Sequence, residues 1–387
     1  MKHTQQLALM DDVFKHLETP EAPDGVTHKI DTQRYTSQAQ LNKERKKIFQ
    51  DFPIAVGVVA QLEKNGNYFL HDLTGVPIVV LKGKDGEVRA FINMCRHRGV
   101  RLLREEKGHL KKNIVCPYHA WSYDTAGCLK GILHNKGFEG VNETNHSLIS
   151  LDCSVHFGLV FVVPNPGLKG KFNWDNFLKE VYNVYQTFGL DTHVPYKSET
   201  RTVAGNWKLV IDSGLEAYHF KIAHAKTIGS YFVDNAGVNY HNKLHSSIIF
   251  PKKSITRIKN TPRESWQLRE HANILVNIFP NTVILVQPDH AMVIFNFPID
   301  EKSTLVHSIM LIPQAPTTQQ EIDYWNLNRD IFWNAIDEDN ELVELQQATF
   351  NGFDGKPMTI GSFEKLILQF ENLVDKVLEG KLKLTDF

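Results

Sequence analysis

The sequence predicts an α+β chain, an all-β unit followed by a helix-flanked antiparallel-sheet unit. Short runs rich in Val, Ile and Phe, broken by turn residues, fill residues 52–165. A second series of strand-length apolar runs fills 240–312. Helical periodicity surrounds that second series and is missing from the first. The chain of 387 residues therefore divides into an N-terminal helical segment, 1–51, packing with the later unit, a β unit, 52–165, and a sheet-and-helix unit, 166–387.

Each element has its own signal. Gln38 to Phe49 (QAQLNKERKKIF) is charged, with apolar residues too sparse for a buried helix. PIAVGVVAQL, NYFLHDL, VPIVVLKG, VRAFINM, NIVCPY and GLVFVVP read as strands. KGKDGEVRA reads as a hairpin turning at Asp85-Gly86. The unit closes at Pro164-Asn165-Pro166-Gly167. FNWDNFLKEVYNVYQTF is helical, and TVAGNWKLVIDSGLEAYHFKIAHA reads as a strand turning into a helix. Gln319 to Phe350 is a long helix with a stripe of Ile322, Trp325, Leu327, Ile331, Phe332, Ala335 and Ile336. A last amphipathic helix covers Ser362 to Leu378.

Composition excludes several classes. Hydrophobic residues at 42% supply a core, and 43 Lys plus Arg against 44 Asp plus Glu leave no charge footprint for nucleic acid or anionic membrane. No apolar run is long enough for a membrane span, and acidic residues interrupt the N-terminus where a secretory signal needs to stay apolar. Four cysteines in a chain this long are no disulfide framework, so a cytoplasmic protein is expected.

Two fragments of the β unit carry chemistry: Cys95-Arg96-His97-Arg98-Gly99 and Cys116-Pro117-Tyr118-His119-Ala120-Trp121. Each pairs one soft thiolate with one imidazole at the end of a β run. Two thiolates on one iron and two imidazoles on the other define a Rieske [2Fe–2S] centre. A zinc site is the rival, but zinc fingers group Cys with Cys and His with His. Cys128 and Cys153 lie outside both loops and read as core residues.

A second constellation is Glu216-Ala217-Tyr218-His219-Phe220-Lys221-Ile222-Ala223-His224. Glu216 and His219 share a face if the segment is helical. His219 and His224 converge only where a helix bends or ends. Two histidines and a carboxylate make the facial triad of a non-haem iron(II) oxygenase. Asp337, Glu338, Asp339 and Glu341 are the candidate carboxylates, with a solvated acidic face as the plain alternative.

With Asn206-Trp207-Lys208 between them, the two constellations resemble the α subunit of Rieske non-haem iron oxygenases. That family includes ring-hydroxylating dioxygenases, O- and N-demethylases, and choline and carnitine oxygenases. The resemblance makes 52–165 the Rieske domain and 166–387 the catalytic domain. It implies Cys95, His97, Cys116 and His119 as cluster ligands, and His219, His224 and Asp339 as ligands of a mononuclear Fe(II). Asp339 is preferred because Glu344 and Gln347 follow at the family's spacing. Glu216 matches the acid that bridges the iron site to the cluster of a neighbouring subunit, and Glu there is closer to quaternary-amine oxygenases. Respiratory Rieske proteins carry a further cysteine in each loop where this chain has Val100 and Tyr118. Fewer hydrogen bonds and no disulfide brace imply a potential towards the bottom of the roughly −150 to +300 mV range. One departure is Asp212-Ser213, where many members have Glu-Asn.

The resemblance further implies a terminal oxygenase that uses O2 and electrons from a separate NAD(P)H-dependent reductase or ferredoxin, assembled as a homotrimer. KGKDGE and GLKGK lack the GxGxxG pattern of a nucleotide site and read as turns. Arg96, Arg98, Arg101 and Arg104 offer a docking surface for an acidic donor, or a solvated loop. Tyr231, Phe232, Phe279, Phe295 and Phe297 are candidates for an apolar or cation-binding pocket, or for sheet core. Aromatic compounds and quaternary amines both remain open as the small-molecule substrate, as does mono- against dioxygenation. The alternative reading is a Rieske electron carrier with a non-catalytic second domain.

Overall fold

A computed structural model describes residues 3–19, 25–188, 190–353 and 356–387. They form two compact units, Lys43–Phe177 with Leu382–Phe387, and Met1–Asn42 with Leu178–Lys381. These limits differ from the sequence boundaries at 51/52 and 165/166 for identifiable reasons. Gln50 accepts from the Asn165 N–H at 2.9 Å, and Asp51 accepts from the Asn165 amide at 2.8 Å. Asp152 accepts from Gly170 N–H at 2.7 Å and from the Trp174 indole at 3.1 Å. Both contacts draw flanking segments onto the β unit. Gln38–Phe49, expected to be too sparse in apolar residues for a buried helix, is helical and buries a few of them. Gln38–Glu44 is α-helical and Arg45–Phe49 π-helical, and Leu41, Ile48 and Phe49 are buried.

In the β unit, seven strands pair antiparallel in the order Ile54–Val58, Leu159–Val163, Ser150–His156, Val88–Ile92, Ile78–Lys82, Asn67–His71 and Lys107–His109. The predicted hairpin is present, with Lys82 opposite Val88 and Gly86 at φ +86°. Successive side chains leave a strand on opposite faces. Ile78 and Val80 therefore join one core cluster, and Val79 and Leu81 another. The second cluster also holds Cys95, Cys116, Trp121 and Tyr123. A small sheet of Ile114–Val115, Ser122–Tyr123 and Leu129–Gly131 frames the second cysteine loop.

The other unit is built on a second seven-stranded antiparallel sheet, ordered Val194–Val203, Ser303–Ile312, Ala291–Asp300, Thr282–Val286, Ala272–Ile278, Ser246–Pro251 and Val238–His241. The helix Gln319–Gly352 starts at a capping box, in which the Thr318 hydroxyl accepts from Glu321 N–H and the Glu321 carboxylate accepts from Thr318 N–H. Its Phe332 and Trp333 pack on Met292, Met310 and Ile312 of the sheet. The expected stripe is only partly inward, since Leu327 and Ile331 are exposed. The last helix, Lys365–Leu378, buries Leu366, Phe370, Val374 and Val377.

Candidate metal centres

The two cysteine loops share one backbone design. Cys95 N–H donates to Val100 O and Gly99 N–H to Cys95 O, at 2.8 and 3.0 Å. Cys116 N–H donates to Trp121 O and Ala120 N–H to Cys116 O, at 2.8 and 3.1 Å. Gly99 and Ala120 both take positive φ, 74° and 56°, which closes each loop. Matching loops present matching donors. Both sulfurs are buried and unbridged, and the His97 and His119 rings lie 4.8 Å apart. His97 stacks on Trp121 at 5.0 Å, and Phe138 packs edge-on against both rings. The Tyr123 hydroxyl accepts from Arg96 N–H at 3.0 Å and reaches Cys95 Sγ at 3.5 Å. Burial pushes the Cys95 thiol up, a cost that metal ligation of the thiolate removes.

His119 Nδ1 is buried with no hydrogen-bond partner among the described residues. Such a group normally has one. A bare imidazole nitrogen beside two buried thiols fits the donor set of a Rieske cluster. The arginines nearby are individually engaged. Arg98 donates to the Tyr118 hydroxyl at 3.0 Å, Arg101 pairs with Asp72 at 2.6 Å, and Arg96 reaches Asn145 O at 3.4 Å.

The second centre departs from helix-face logic. The helix Trp207–Asp212 stops at Ser213, and between there and His224 only Phe220–Ala223 is helical. Glu216 meets His219 through a turn, accepting from His219 N–H at 3.2 Å and bonding His219 Nδ1. His224 lies just past the short helix, and its carbonyl accepts from Gly229 N–H at 2.9 Å. A Cβ at Gly229 would stand 2.4 Å from Phe220 O, so only glycine allows this tight return.

The chain end of the short helix brings the two Nε2 atoms to 3.2 Å, and Asp339 Oδ1 lies 3.4 Å from His219 Nε2 and 3.2 Å from His224 Nε2. Ligands at right angles around an ion at about 2.1 Å stand about 3 Å apart. The triangle therefore fits one face of a metal's coordination sphere. Each outward Nδ1 is held by a carboxylate, His219 by Glu216 and His224 by Glu338 at 2.8 Å. That is the usual support for a metal-binding imidazole. Burial disfavours the charged form of His219, but Asp339 and Glu216 outweigh it and lift it to about 10. Burial likewise works against ionised Asp339, yet the two histidines hold its carboxyl below the usual range.

The neighbouring acids are assigned elsewhere. Glu338 serves His224 and Thr227, while Asp337 pairs with Arg201. Glu344 accepts from Ala204 N–H at 3.0 Å and Gln347 from Asn206 N–H at 2.8 Å. Those contacts fasten the long helix, and with it Asp339, to the segment leading to the histidines. Asn206 caps the next helix by accepting from Lys208 N–H at 3.0 Å.

A cavity opens on the triangle, with about 100 Å³ of free space, lined by Phe220, Phe232, Phe250, Phe332, Asn273 and Gln287 among others. Of the five aromatic candidates, Phe232 is in its wall. Phe279, Phe295 and Phe297 are buried but absent from that lining, and Tyr231 is exposed. Phe250 lies in the strands from 245 to 297 that were expected to supply the pocket though it was not singled out there, whereas Phe220 was not expected in the wall, although it adjoins His219. Their rings are 4.8 Å apart, and Phe220 and Phe232 5.4 Å.

Comparisons agree with this geometry. Residues 52–142 match the Rieske [2Fe-2S] domain, and residues 190–380 the ring hydroxylating alpha subunit catalytic domain. The glycine betaine monooxygenase oxygenase subunit of Chromohalobacter salexigens is 31% identical, over 85% of this chain and 81% of that protein. The carnitine monooxygenase oxygenase subunit of Acinetobacter pittii is 29% identical, over 88% and 92%. The quaternary ammonium Rieske monooxygenase CntA, in complex with L-carnitine, superposes with a TM-score of 0.75 at 25% identity, over 90% and 95% of the two chains. Naphthalene 1,2-dioxygenase from Rhodococcus shares the fold, with a TM-score of 0.71 at 16% identity over 96% and 98%. Two matched cysteine–histidine loops and a two-histidine, one-carboxylate triangle, in a chain alike over most of its length, have one explanation. The chain belongs to the Rieske non-haem iron oxygenases as a terminal oxygenase subunit, with a [2Fe–2S] cluster, a mononuclear iron and electrons drawn from a separate reductase or ferredoxin.

Proposed function

We propose that this oxygenase removes a methyl group from a methylated ammonium compound, with Cys95, His97, Cys116 and His119 holding the cluster and His219, His224 and Asp339 the iron. The observation that carries the substrate class is the trio Phe220, Phe232 and Phe250 facing the triangle, because aromatic faces attract a quaternary ammonium. The named activities of the carnitine and glycine betaine relatives support it. When bound, iron supplies oxygen activation and the cluster supplies electrons one at a time. The chain's own task is to place a methyl group beside the triangle and keep water out. One methyl C–H becomes C–OH, and the C–N bond then breaks to give the tertiary amine, formaldehyde and a proton.

Among the described residues, neither Lys nor Arg lines this cavity. Arg269, on a nearby element, donates to Gln287 O at 2.8 Å and His290 O at 3.3 Å. The cavity thus surrounds the ammonium end, and choline should serve at least as well as carboxylated betaines. Electron paramagnetic resonance of the dithionite-reduced, iron-loaded protein under nitric oxide tests this. Choline, glycine betaine, L-carnitine and benzoate are added in turn. Perturbation of the iron–nitrosyl signal by the ammonium compounds supports the reading, and perturbation by benzoate alone defeats it.

A homotrimer is part of the same proposal. Exposed Tyr218 and Phe363 stack at 5.5 Å beside Glu216, and Ile222 is 79% exposed. Such an apolar rim suits a second copy, whose cluster histidine would meet Glu216. One solved relative is described as revealing inter-subunit electron transfer. Sedimentation at the mass of three chains is the expected result. Cys128 and Cys153, the two cysteines outside the cluster loops, are unbridged, which supports the cytoplasm as its compartment. No helix among the described residues is long and apolar enough to cross a membrane.

A further inference from the structure

We propose that Asp212 is held as a neutral carboxylic acid and is the proton donor of the mononuclear site. It lies in the wall of a cavity of about 600 Å³ that it shares with Ser213, Glu216, His219 and Asp339. The side chain is buried, and its Oδ1 has no hydrogen-bond partner among the described residues. An ionised carboxylate with a bare buried oxygen is very costly, whereas the protonated acid is not.

The groups around it supply a local reason for that proton. The Tyr35 hydroxyl contacts Glu371 Oε1 at 2.8 Å and Asp212 Oδ2 at 3.3 Å. One O–H has one proton, and the shorter contact assigns it to Glu371. The Asp212–Tyr35 contact is then best satisfied by a proton on Asp212. Arg34 is committed to Glu371 at 2.5 Å and to Asp375 at 2.9 Å. Lys208 is buried with its Nζ 5.5 Å from the Tyr35 ring centre. Burial first, and the Glu371 charge second, hold Asp212 well above the usual carboxylate range, against the pull of Arg34 and Lys208.

Monooxygenation needs such a donor. Substrate, O2, two electrons and two protons give hydroxylated product and water, and the electrons come from the reductase. Asp212 lines the cavity that holds His219 and Asp339, so a proton freed when its Tyr35 contact opens enters that space, and water in the half-open cavity restores it. The mechanism gives no other use to Asp212. Ser213, which also touches the smaller substrate cavity, lies between the two spaces.

Infrared difference spectroscopy of the full-length, metal-loaded protein tests the protonation state directly. A protonated-carboxyl band should be present at neutral pH in the wild type and missing from Asp212→Asn. Oxygen uptake by the reduced protein with choline should fall on the order of 100-fold in Asp212→Asn. Asp212→Glu should restore much of it, while iron content and the cluster's visible spectrum stay unchanged in both. A wild type without that band, or an Asp212→Asn protein with unchanged uptake, overturns the proposal. Because the infrared band needs no substrate, failure of the methylamine reading leaves this test intact.

Discussion

The Asp339 carboxylate shows how much one side chain decides. It closes a triangle with two imidazoles whose other nitrogens are already fixed, so its loss leaves two ligands and a hole. Asp339→Ala is expected to lose mononuclear iron, by metal analysis, while the visible spectrum of the cluster persists; iron retained in full would move the ligand to Glu338. Tyr123 is the corresponding case in the other centre. The sequence reading expected a sparsely hydrogen-bonded cluster, yet this hydroxyl stands 3.5 Å from Cys95 Sγ. A hydrogen bond to a ligand sulfur stabilises the reduced, more negative cluster. Tyr123→Phe should therefore lower the midpoint potential by tens of millivolts in a redox titration, with both metals still bound. An unchanged potential would mean that the hydroxyl only braces Arg96 N–H.

Elements set what those residues can reach. The strand Asn67–His71 ends on a fully buried histidine, which burial lowers to about 4 despite the nearby Asp72. The native state holds His71 neutral, whereas the unfolded chain protonates it near 6.5. Its contribution is thus complete above about pH 6.5 and is lost as pH falls towards 4, reaching roughly 3 kcal/mol. Denaturant titrations of His71→Asn should show a flatter acid limb than the wild type; parallel limbs would exclude His71 as the titrating group. The same scale explains a misread element. Continuous helix was expected through Glu216 and His219, because side chains three apart share a helical face. The backbone instead breaks at Ser213, and a turn makes the same introduction. Periodicity alone does not separate those two solutions, since both place the groups together.

For the whole molecule, two redox centres matter only if they are connected. Glu216 is joined to His219 and is flanked by exposed aromatic residues, which is the setting in which the proposed electron path through a neighbouring copy is tested. Glu216→Gln should keep both metals and their spectra but slow oxidation of the cluster in single-turnover experiments by on the order of 100-fold. Wild-type rates would remove Glu216 from the electron path. Much of this protein was legible in its sequence, because metal ligation needs particular atoms at short spacings. Cys95 and His97, Cys116 and His119, and His219 and His224 are each read within a few residues of chain. The strands were legible for a similar reason, as runs such as IVVLK bury both faces and so stay apolar throughout. What lies far apart in sequence was not legible from local pattern. Asp339 stood among four acids of equal standing until the resemblance favoured it, and the fold separates them by giving Glu338 to His224 and Asp337 to Arg201. Phe250 and Asn273 enter the cavity wall only because neighbouring strands of one sheet present them on the same side as His224. Asp212, Tyr35 and Glu371 meet across more than 300 residues of chain, as the Tyr35–Glu371 contact at 2.8 Å shows. The sequence by itself determined the metals and the folds that hold them. Tertiary structure alone decided that Asp339 closes a triangle with His219 and His224, that Phe220, Phe232 and Phe250 share one cavity wall and that Asp212 meets Tyr35, because each depends on packing between segments with no local signal of their meeting.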